Sequence, residues 1–381
     1  MSATRPPDTM RLDTPMGSLE VFERLEVVST IMGPAEATFE LGDETALASL
    51  PALQHGMPAI VSVNGHPCIK GRLMSREPSG DTSSGVSVEL ALETIIGCAQ
   101  TVSSDPDVSF STTTLRAFLT ALYGRVTGVP SLFSWWPVKI VTNYSLERDL
   151  LTGRPTKGGT IDPSIEMVLG ESVKVQPPEA IYETAAKNLR RFGVGHWDTP
   201  DGNIFVGKPD ETQAPIGRFV LKRGPAAVAN NVIRVRRSED WRGVPSVVRT
   251  HGIQGAPEVK WAPIVGEASY ADVTAQAGYR PVIVKGSIIG ENLAQAKGQA
   301  KRELAVRSKR KDALEIEVDG WAWWDGSALI PYAPNTMWDV DLDVLGGVQG
   351  SYLCLSVSRR LDPRGGPTTT LQLTARGTFS F

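Results

Sequence analysis

The stretch "DGWAWWDGSALIPYAPNTMWDVDLD", Asp319 to Asp343, holds four of the chain's nine tryptophans beside a row of aspartates. Three architectures produce such a stretch: an exposed sugar-binding platform, a metal or catalytic site, or the wall of a β-barrel buried against something else. Along "MWDVDLDV", Asp339, Asp341 and Asp343 alternate with Trp338, Val340, Leu342 and Val344. In a strand this sends the carboxylates to one face and the apolar set to the other. A calcium loop of the EF-hand type needs glycine at its sixth position and glutamate at its twelfth, where this chain has Val344 and Gly350. The spacing therefore favours a strand with a solvent- or lumen-facing acidic side over a metal site. In "WAWW", Trp321 and Trp323 fall on one face and Trp324 on the other. Because tryptophan is highly buried on average and enriched at interfaces, Trp321, Trp323 and Trp338 are assigned to a core or a subunit contact.

Composition supports a β-rich reading of the rest. The 381 residues exceed what one core usually carries, which predicts two to four domains. Thirty-seven glycines and 27 prolines, spread along the chain, suit many short strands joined by turns. A net charge of −3 gives no global pull toward nucleic acid. Cys68, Cys98 and Cys354 are odd in number and form no CxxC pair, so a disulfide framework is not expected and a reducing assembly compartment is. The opening residues lack the apolar core of a secretory signal, and no run is long enough to cross a bilayer.

From about residue 15 to 100, "LEVFERLEVVST", "EATFELGD", "GMPAIVSVNGHPCIKGRL" and "SGVSVELALETIIG" read as strands, with Asn64-Gly65 as a hairpin turn. This predicts a small closed or nearly closed β domain. Helical spacing follows in "STTTLRAFLTALYGR", with Leu115, Phe118, Leu119 and Leu122 as its stripe. A second helix carries Ile181, Ala185, Leu189 and Phe192, ends at Gly193 or Gly195, and leads through Asp201-Gly202 into a short ribbon. Strands return from residue 216, interrupted by a long helix with Leu293, Ala296, Ala300 and Leu304 on one side. The organisation predicted is an N-terminal arm over 1–14, a β domain over 15–105, a mixed α+β part over 106–215, and a second β domain over 216–381 that includes a helix at 288–311.

Signatures of chemistry are scarce. His55, His66, His196 and His251 are far apart, and no HExxH, nucleophile elbow, P-loop or dinucleotide fingerprint occurs. No enzymatic activity and no cofactor or metal are therefore predicted. One basic cluster stands out on and just beyond the long helix: Lys297, Lys301, Arg302, Arg307, Lys309, Arg310 and Lys311, with Glu303 the acid among them. A solvated helix face whose last turn complements the macrodipole explains it better than a DNA-binding surface, because the rest of the chain is not basic.

Taken in order, these segments resemble the baseplate hub proteins of Mu-like and P2-like contractile-tail phages, with the T-even phage hub and the hub part of type VI secretion spike proteins as more distant relatives. The resemblance is carried by "LEVFERLEVVSTIMGPAEATFEL", by "VSVNGHPCIKGRL" with "SVELALETIIGCAQ", by "AIYETAAKNLRRFGVGHWDTPDGNIFV", and by "AQAKGQAKRELAVRSKRKDALEIEVDGW" with "LIPYAPNTMWDVD" and "TTTLQLTARGTFSF". The chain departs from it in lacking an Arg-Ser-like dipeptide near "VELALETI", and residues of about 125 to 175 have no counterpart. The resemblance implies a mainly β fold with α+β insertions: two tube-type β-barrel domains and mixed middle domains in a ring-forming homotrimer. It implies a non-enzymatic virion protein of the tail baseplate, made in the host cytoplasm. Such a hub joins a sixfold tail tube to a threefold central spike and lines the path of DNA ejection. The implied partners are other copies of the chain, the spike, the tail tube or a distal tube-initiator protein, other baseplate proteins and a tape-measure protein. DNA is met only in passage, and no membrane is entered. On this reading Asp339, Asp341 and Asp343 face the lumen or solvent and discourage DNA from sticking. Two other functions compete, a glycan-binding tail protein using the Trp321–Trp338 region and a cell-wall hydrolase.

Overall fold

The computed structural model describes residues 5–31, 33–42, 48–49, 51–81, 85–103, 109–110, 115–127, 139–141, 173–174, 179–191, 193–224, 230–254, 262–289, 293–309 and 311–379. The N-terminal part supplies seven strands: β1 (Met10–Thr14), β2 (Gly17–Leu19), β3 (Arg24–Thr30), β4 (Glu36–Leu41), β5 (Pro58–Val63), β6 (His66–Asp81) and β7 (Gly85–Glu93). The alternation seen in the sequence is the alternation of burial. Leu25 and Val27 on β3 and Ala37, Phe39 and Leu41 on β4 point into one core while their neighbours stay outside. The β5–β6 hairpin turns at Asn64 and Gly65, both with positive φ (52° and 80°), a conformation these two residue types tolerate best.

The middle of the chain is mixed. It contains α1 (Ile95–Thr101), β8 (Ser109–Phe110), α2 (Leu115–Thr127), β9 (Ile140–Val141), β10 (Val173–Lys174), α3 (Ile181–Arg191), β11 (Gly195–Asp198) and β12 (Ile204–Gly207). The apolar stripes of α2 (Leu115, Phe118, Leu119, Leu122) and α3 (Ile181, Ala185, Leu189) close on each other and on Ile95 and Ile96 of α1. The β11–β12 ribbon turns at Gly202, with Asp198 paired to Ile204. Phe192, assigned to the α3 stripe from sequence, lies outside the described residues, as does most of 125–175.

The last part holds β13 (Arg218–Leu221), β14 (Arg234–Ser238), β15 (Val247–Gln254), β16 (Ala262–Ser269), α4 (Ala271–Ala277), β17 (Pro281–Ile289), α5 (Leu293–Ser308), β18 (Ala313–Asp319), β19 (Ala322–Trp324), β20 (Leu329–Pro331), β21 (Met337–Leu342), β22 (Val348–Asp362) and β23 (Gly366–Ala375). Strands β15, β16 and β17 form their own three-stranded sheet with β15 and β17 parallel, a connection that requires a crossover. Ala300 and Leu304 of α5 cover this sheet at Val248 and Ala268. The approach is close because position 266 is glycine: a Cβ there would lie 2.1 Å from the Ala296 backbone.

All the other long strands join one sheet, ordered β14-β18-β23-β22-β3-β4-β7-β6-β5-β1-β2, with β21 on β22 and β13 on β21. The fold is mainly β, as expected. The two tube-type barrels are not found as closed barrels, because the pairings run as an open chain among the described residues. The two β parts are joined into this one sheet by the fifteen-residue strand β22. Its first part, Val348–Leu353, pairs with β21, and its last part, Ser356–Leu361, pairs with β3. A bulge between Cys354 and Ser356 marks the change of partner, and the bulged Leu355 carbonyl accepts from Ile31 N at 3.0 Å. One strand thus serves both β parts.

Candidate assembly surface

The tryptophan-rich stretch sits where the two β parts meet. Trp321 (5% exposed) belongs to the N-terminal core, whereas Trp338 (0% exposed) and half-buried Trp323 belong to the C-terminal one. Trp338 stacks on Phe219 with ring centroids 4.8 Å apart, and Trp323 meets Trp338 edge-on at 5.8 Å. Gly217 leaves room for Trp323, since a Cβ there would fall 2.6 Å from the indole. Rings packed in this way offer no coplanar exposed face.

The N-terminal arm fastens this junction. Asp8 accepts from Arg5 at 2.6 Å, from Asn64 Nδ2 at 2.9 Å and from the Trp321 backbone N–H at 2.7 Å. Arg5 in turn donates to the carbonyls of Asp319 and Ala322. The Trp321 indole donates to the Arg360 carbonyl on β22 at 3.1 Å. Arg359, next to it, is buried in the seam; it donates to the Tyr332 carbonyl, while Nε and Nη1 have no partner among the described residues.

The three aspartates do not form a bare acidic face. Strand β21 ends at Leu342, so Asp343 opens a short 3₁₀ turn and is exposed, Asp339 is half-buried, and Asp341 is 4% exposed. The parallel neighbour β13 places Val220 opposite Asp341, with Arg218 and Lys222 to either side. Asp341 binds Arg218 at 2.6 Å and Lys222 at 2.8 Å, and these contacts with Gln349 hold its carboxyl below the usual carboxylate range, the Lys222 hydrogen bond contributing most. Asp343 accepts from Arg223 N at 3.1 Å, and Asp339 accepts from Ser351 Oγ at 2.6 Å. Sequence reading passed over the cations of "RFVLKRG". Their signal was the same period-2 spacing, Arg218 to Lys222, as that of the aspartates.

The histidines and the basic helix are also placed. His55, His66 and His251 are exposed and separate, and no cluster of metal-ligating side chains occurs among the described residues. On α5, Lys297 is exposed and Arg307 pairs with Glu303 at 3.4 Å. Lys311 pairs with Asp272 and lies over the rings of Trp241 and Tyr270. Arg310 lies outside the described residues. Lys301, Arg302 and Lys309 turn toward a cleft against α3.

What distinguishes the large sheet is its margins. An edge strand is a template for another chain unless it is blocked. The margin at β13 is blocked: Asn231 Oδ1 accepts from Val220 N and Asn230 Oδ1 accepts from Lys222 N, at 2.8 and 2.7 Å, while their amides donate back to Arg218 and Lys222 carbonyls. No such cover is seen on β2 or β14 among the described residues. Both are flanked by exposed apolar side chains, Met16 (62%) and Val21 (68%) at β2 and Ile233 (56%) at β14. Their own charged residues are of opposite sign, and on β14 Arg234 and Arg237 already pair with Glu317, Asp312 and Glu239. Glu20 and Glu23 follow β2, and Arg234, Arg236 and Arg237 lie on β14. On β18 the even-numbered residues bond to β23, as Ala375 N to Asp312 O and Gly320 N to Pro367 O show, so Glu315 and Glu317 face Arg236 and Arg234, and the N–H groups of Val235 and Arg237 point outward.

No protein-family model and no curated protein matches this chain. Solved structures do. The tail protein from Neisseria meningitidis MC58 superimposes over 98% of this chain and 98% of its own, with a TM-score of 0.74 at 17% identity. The 43 kDa tail protein of prophage MuSo2 from Shewanella oneidensis does so over 97% and 99%, with a TM-score of 0.70 at 14% identity. Prophage tail protein gp18 from Listeria monocytogenes EGD-e follows over 97% and 95%, with a TM-score of 0.51 at 11% identity. At these identities the likeness is one of fold, and from end to end the fold of this chain is that of phage tail proteins.

Proposed function

We propose that the chain is a structural, non-enzymatic subunit of a phage tail, the baseplate hub: a homotrimeric ring that joins the sixfold tail tube to the threefold central spike. The observation that carries this reading is the pair of unblocked margins on one continuous sheet. A head-to-tail contact of β14 on one copy with the β2 margin of the next brings acidic against basic residues and covers Met16, Val21 and Ile233. Such a contact is heterologous, and it gives a closed ring when the rotation per subunit returns to the start. In three copies the two β parts supply six wall segments, the arrangement through which a threefold body meets a sixfold tube. The neighbours in this reading are the spike, the tube or its initiator, other baseplate proteins and the tape measure, all in the virion tail. A wall built from β21 and β13 carries alternating Asp339, Asp341 and Asp343 with Arg218, Lys222 and Arg223, and so shows passing DNA little net charge.

The glycan-platform alternative requires exposed coplanar rings, and Trp321 and Trp338 are buried. The test of the ring is an edge block. Arg237→Pro removes an outward N–H without touching the ladder to β18. Sedimentation should give a folded monomer for this variant and a trimer for the parent. An Arg237→Pro chain that still forms the parental assembly would rule out the β14 edge as the contact.

A further inference from the structure

A cleft of ≈ 350 Å³ opens between α3, the β11–β12 ribbon and α5. Among the described residues its lining includes the cations Arg190, Lys208, Lys301, Arg302 and Lys309 and the acid Glu303. Glu303 is already engaged with Arg307 at 3.4 Å and lies 4.0 Å from Arg302. The excess is costly where it is least hydrated: burial first, then the neighbouring Arg190, lowers the Arg302 guanidinium below its ordinary value. In the same wall His196 is 6% exposed, and its Nε2 has no partner among the described residues. Burial, with Arg302 and Arg190 nearby, pushes that imidazole down to about 3, so it is neutral at physiological pH. The desolvated Arg302 beside Arg190 and Lys301, with Glu303 shared with Arg307, calls for an anion.

We propose that this cleft docks an acidic peptide segment of another protein, with one or two carboxylates on Arg190, Lys301 and Arg302 and an adjacent apolar side chain on Tyr182 and Phe379. Arginine forks match carboxylates in two-point geometry. The apolar share of the lining, which includes Trp197 and Val306, favours a peptide over a bare inorganic ion. Size argues in the same direction. The cleft lies at the small end of ligand pockets, roughly 300–1,000 Å³, enough for a few side chains. Single-stranded nucleic acid instead needs a groove along successive phosphates.

The test is fluorescence anisotropy on the full chain with three labelled probes: Gly-Asp-Phe-Asp-Gly, its Asn-for-Asp counterpart, and oligothymidylate. The acidic peptide should bind at least about tenfold more tightly than the amide peptide, which corresponds to ~1.4 kcal/mol. Lys301→Glu on α5 and Lys208→Glu beyond β12 should each weaken it about tenfold, with unchanged thermal midpoints. Equal binding of the two peptides, no binding of the acidic one, indifference to both lysine variants, or preference for oligothymidylate would overturn the proposal. The assay does not depend on oligomeric state, so its failure leaves the ring reading standing, and a monomeric parent leaves the cleft standing.

Discussion

The backbone N–H of Trp321 donates to the carboxylate of Asp8 at 2.7 Å, across 313 residues of sequence. This bond ties the N-terminal arm to the turn that carries the tryptophans into both cores, and the Asp8 side chain that accepts it is only 2% exposed. Removing the acceptor leaves Trp321 N, Asn64 Nδ2 and the Arg5 guanidinium short of a partner in a poorly hydrated place. Asp8→Ala should therefore cost about 2–4 kcal/mol, taking ~1–3 kcal/mol per unsatisfied buried group and allowing for relaxation. Urea denaturation measures it. A loss below ~0.5 kcal/mol would show that the arm does not fasten the seam.

Gly320 gives an independent test of the same junction. Its φ is +77°, and an added Cβ would fall 2.0 Å from Arg5 Nη2 and 2.2 Å from Asp8 Oδ2. Gly320→Ala meets both strain and collision, so a loss of about 1–3 kcal/mol is expected. In the Asp8→Ala background part of the collision is gone, and the penalty of Gly320→Ala should shrink. Additive losses would contradict the contact.

Trp338 and Trp321 are buried to different cores, and the expected signature is spectroscopic as well as energetic. Trp338→Ala should destabilise by about 3–5 kcal/mol and Trp338→Phe by much less, because the ring that stacks on Phe219 is retained. Acrylamide quenching compared between the parent and single Trp→Phe variants should assign little accessible fluorescence to Trp321 or Trp338. Strong quenching of either, or its suppression by added glycans, would return the stretch to the sugar-platform reading.

Asp198 provides a pH test of the joint between the middle part and the N-terminal sheet. Burial pushes its carboxyl up to about 6, although Thr94 Oγ1 (2.6 Å), Ala35 N (3.2 Å) and Ile96 N (3.4 Å) all donate to it and pull the other way. Its folded value lies above its unfolded one. Between roughly pH 4 and 6 the folded chain therefore holds a proton that the unfolded chain has released, and this group's contribution to stability falls as pH rises, then levels off above pH 6. The stability of the parent relative to Asp198→Asn should drop by about 2 kcal/mol from pH 4 to pH 7. A flat or rising difference would contradict the placement of Asp198.

Local chemistry was legible in the sequence where it is decided locally. The Asn64-Gly65 hairpin, the Asp201-Gly202 turn and the stripes Leu115, Phe118, Leu119, Leu122 and Ala296, Ala300, Leu304 follow from φ preferences and helical period, and each has its counterpart in the structure. Leu293, read into the last stripe, is instead 48% exposed at the first turn of α5. Pairing across the chain was not legible. Nothing in β3 names β22 as its partner, and an alternating strand pairs equally well with any strand of matching register. The same holds for the aspartate row: its spacing gives a face, but the neutralising Arg218 and Lys222 arrive from a strand more than a hundred residues earlier. The basic cleft escaped for a third reason. Arg190, Lys208 and Lys301 belong to three elements that only the fold brings together.

The central claim is that copies of this chain close into a threefold ring. Light scattering on the full-length protein after size exclusion, with negative-stain images of the same peak, tests it most directly. The expected result is three times the 41.0 kDa chain mass and a ring with a central hole. A compact monomer at every accessible concentration, or an even-numbered closed dimer, would contradict it.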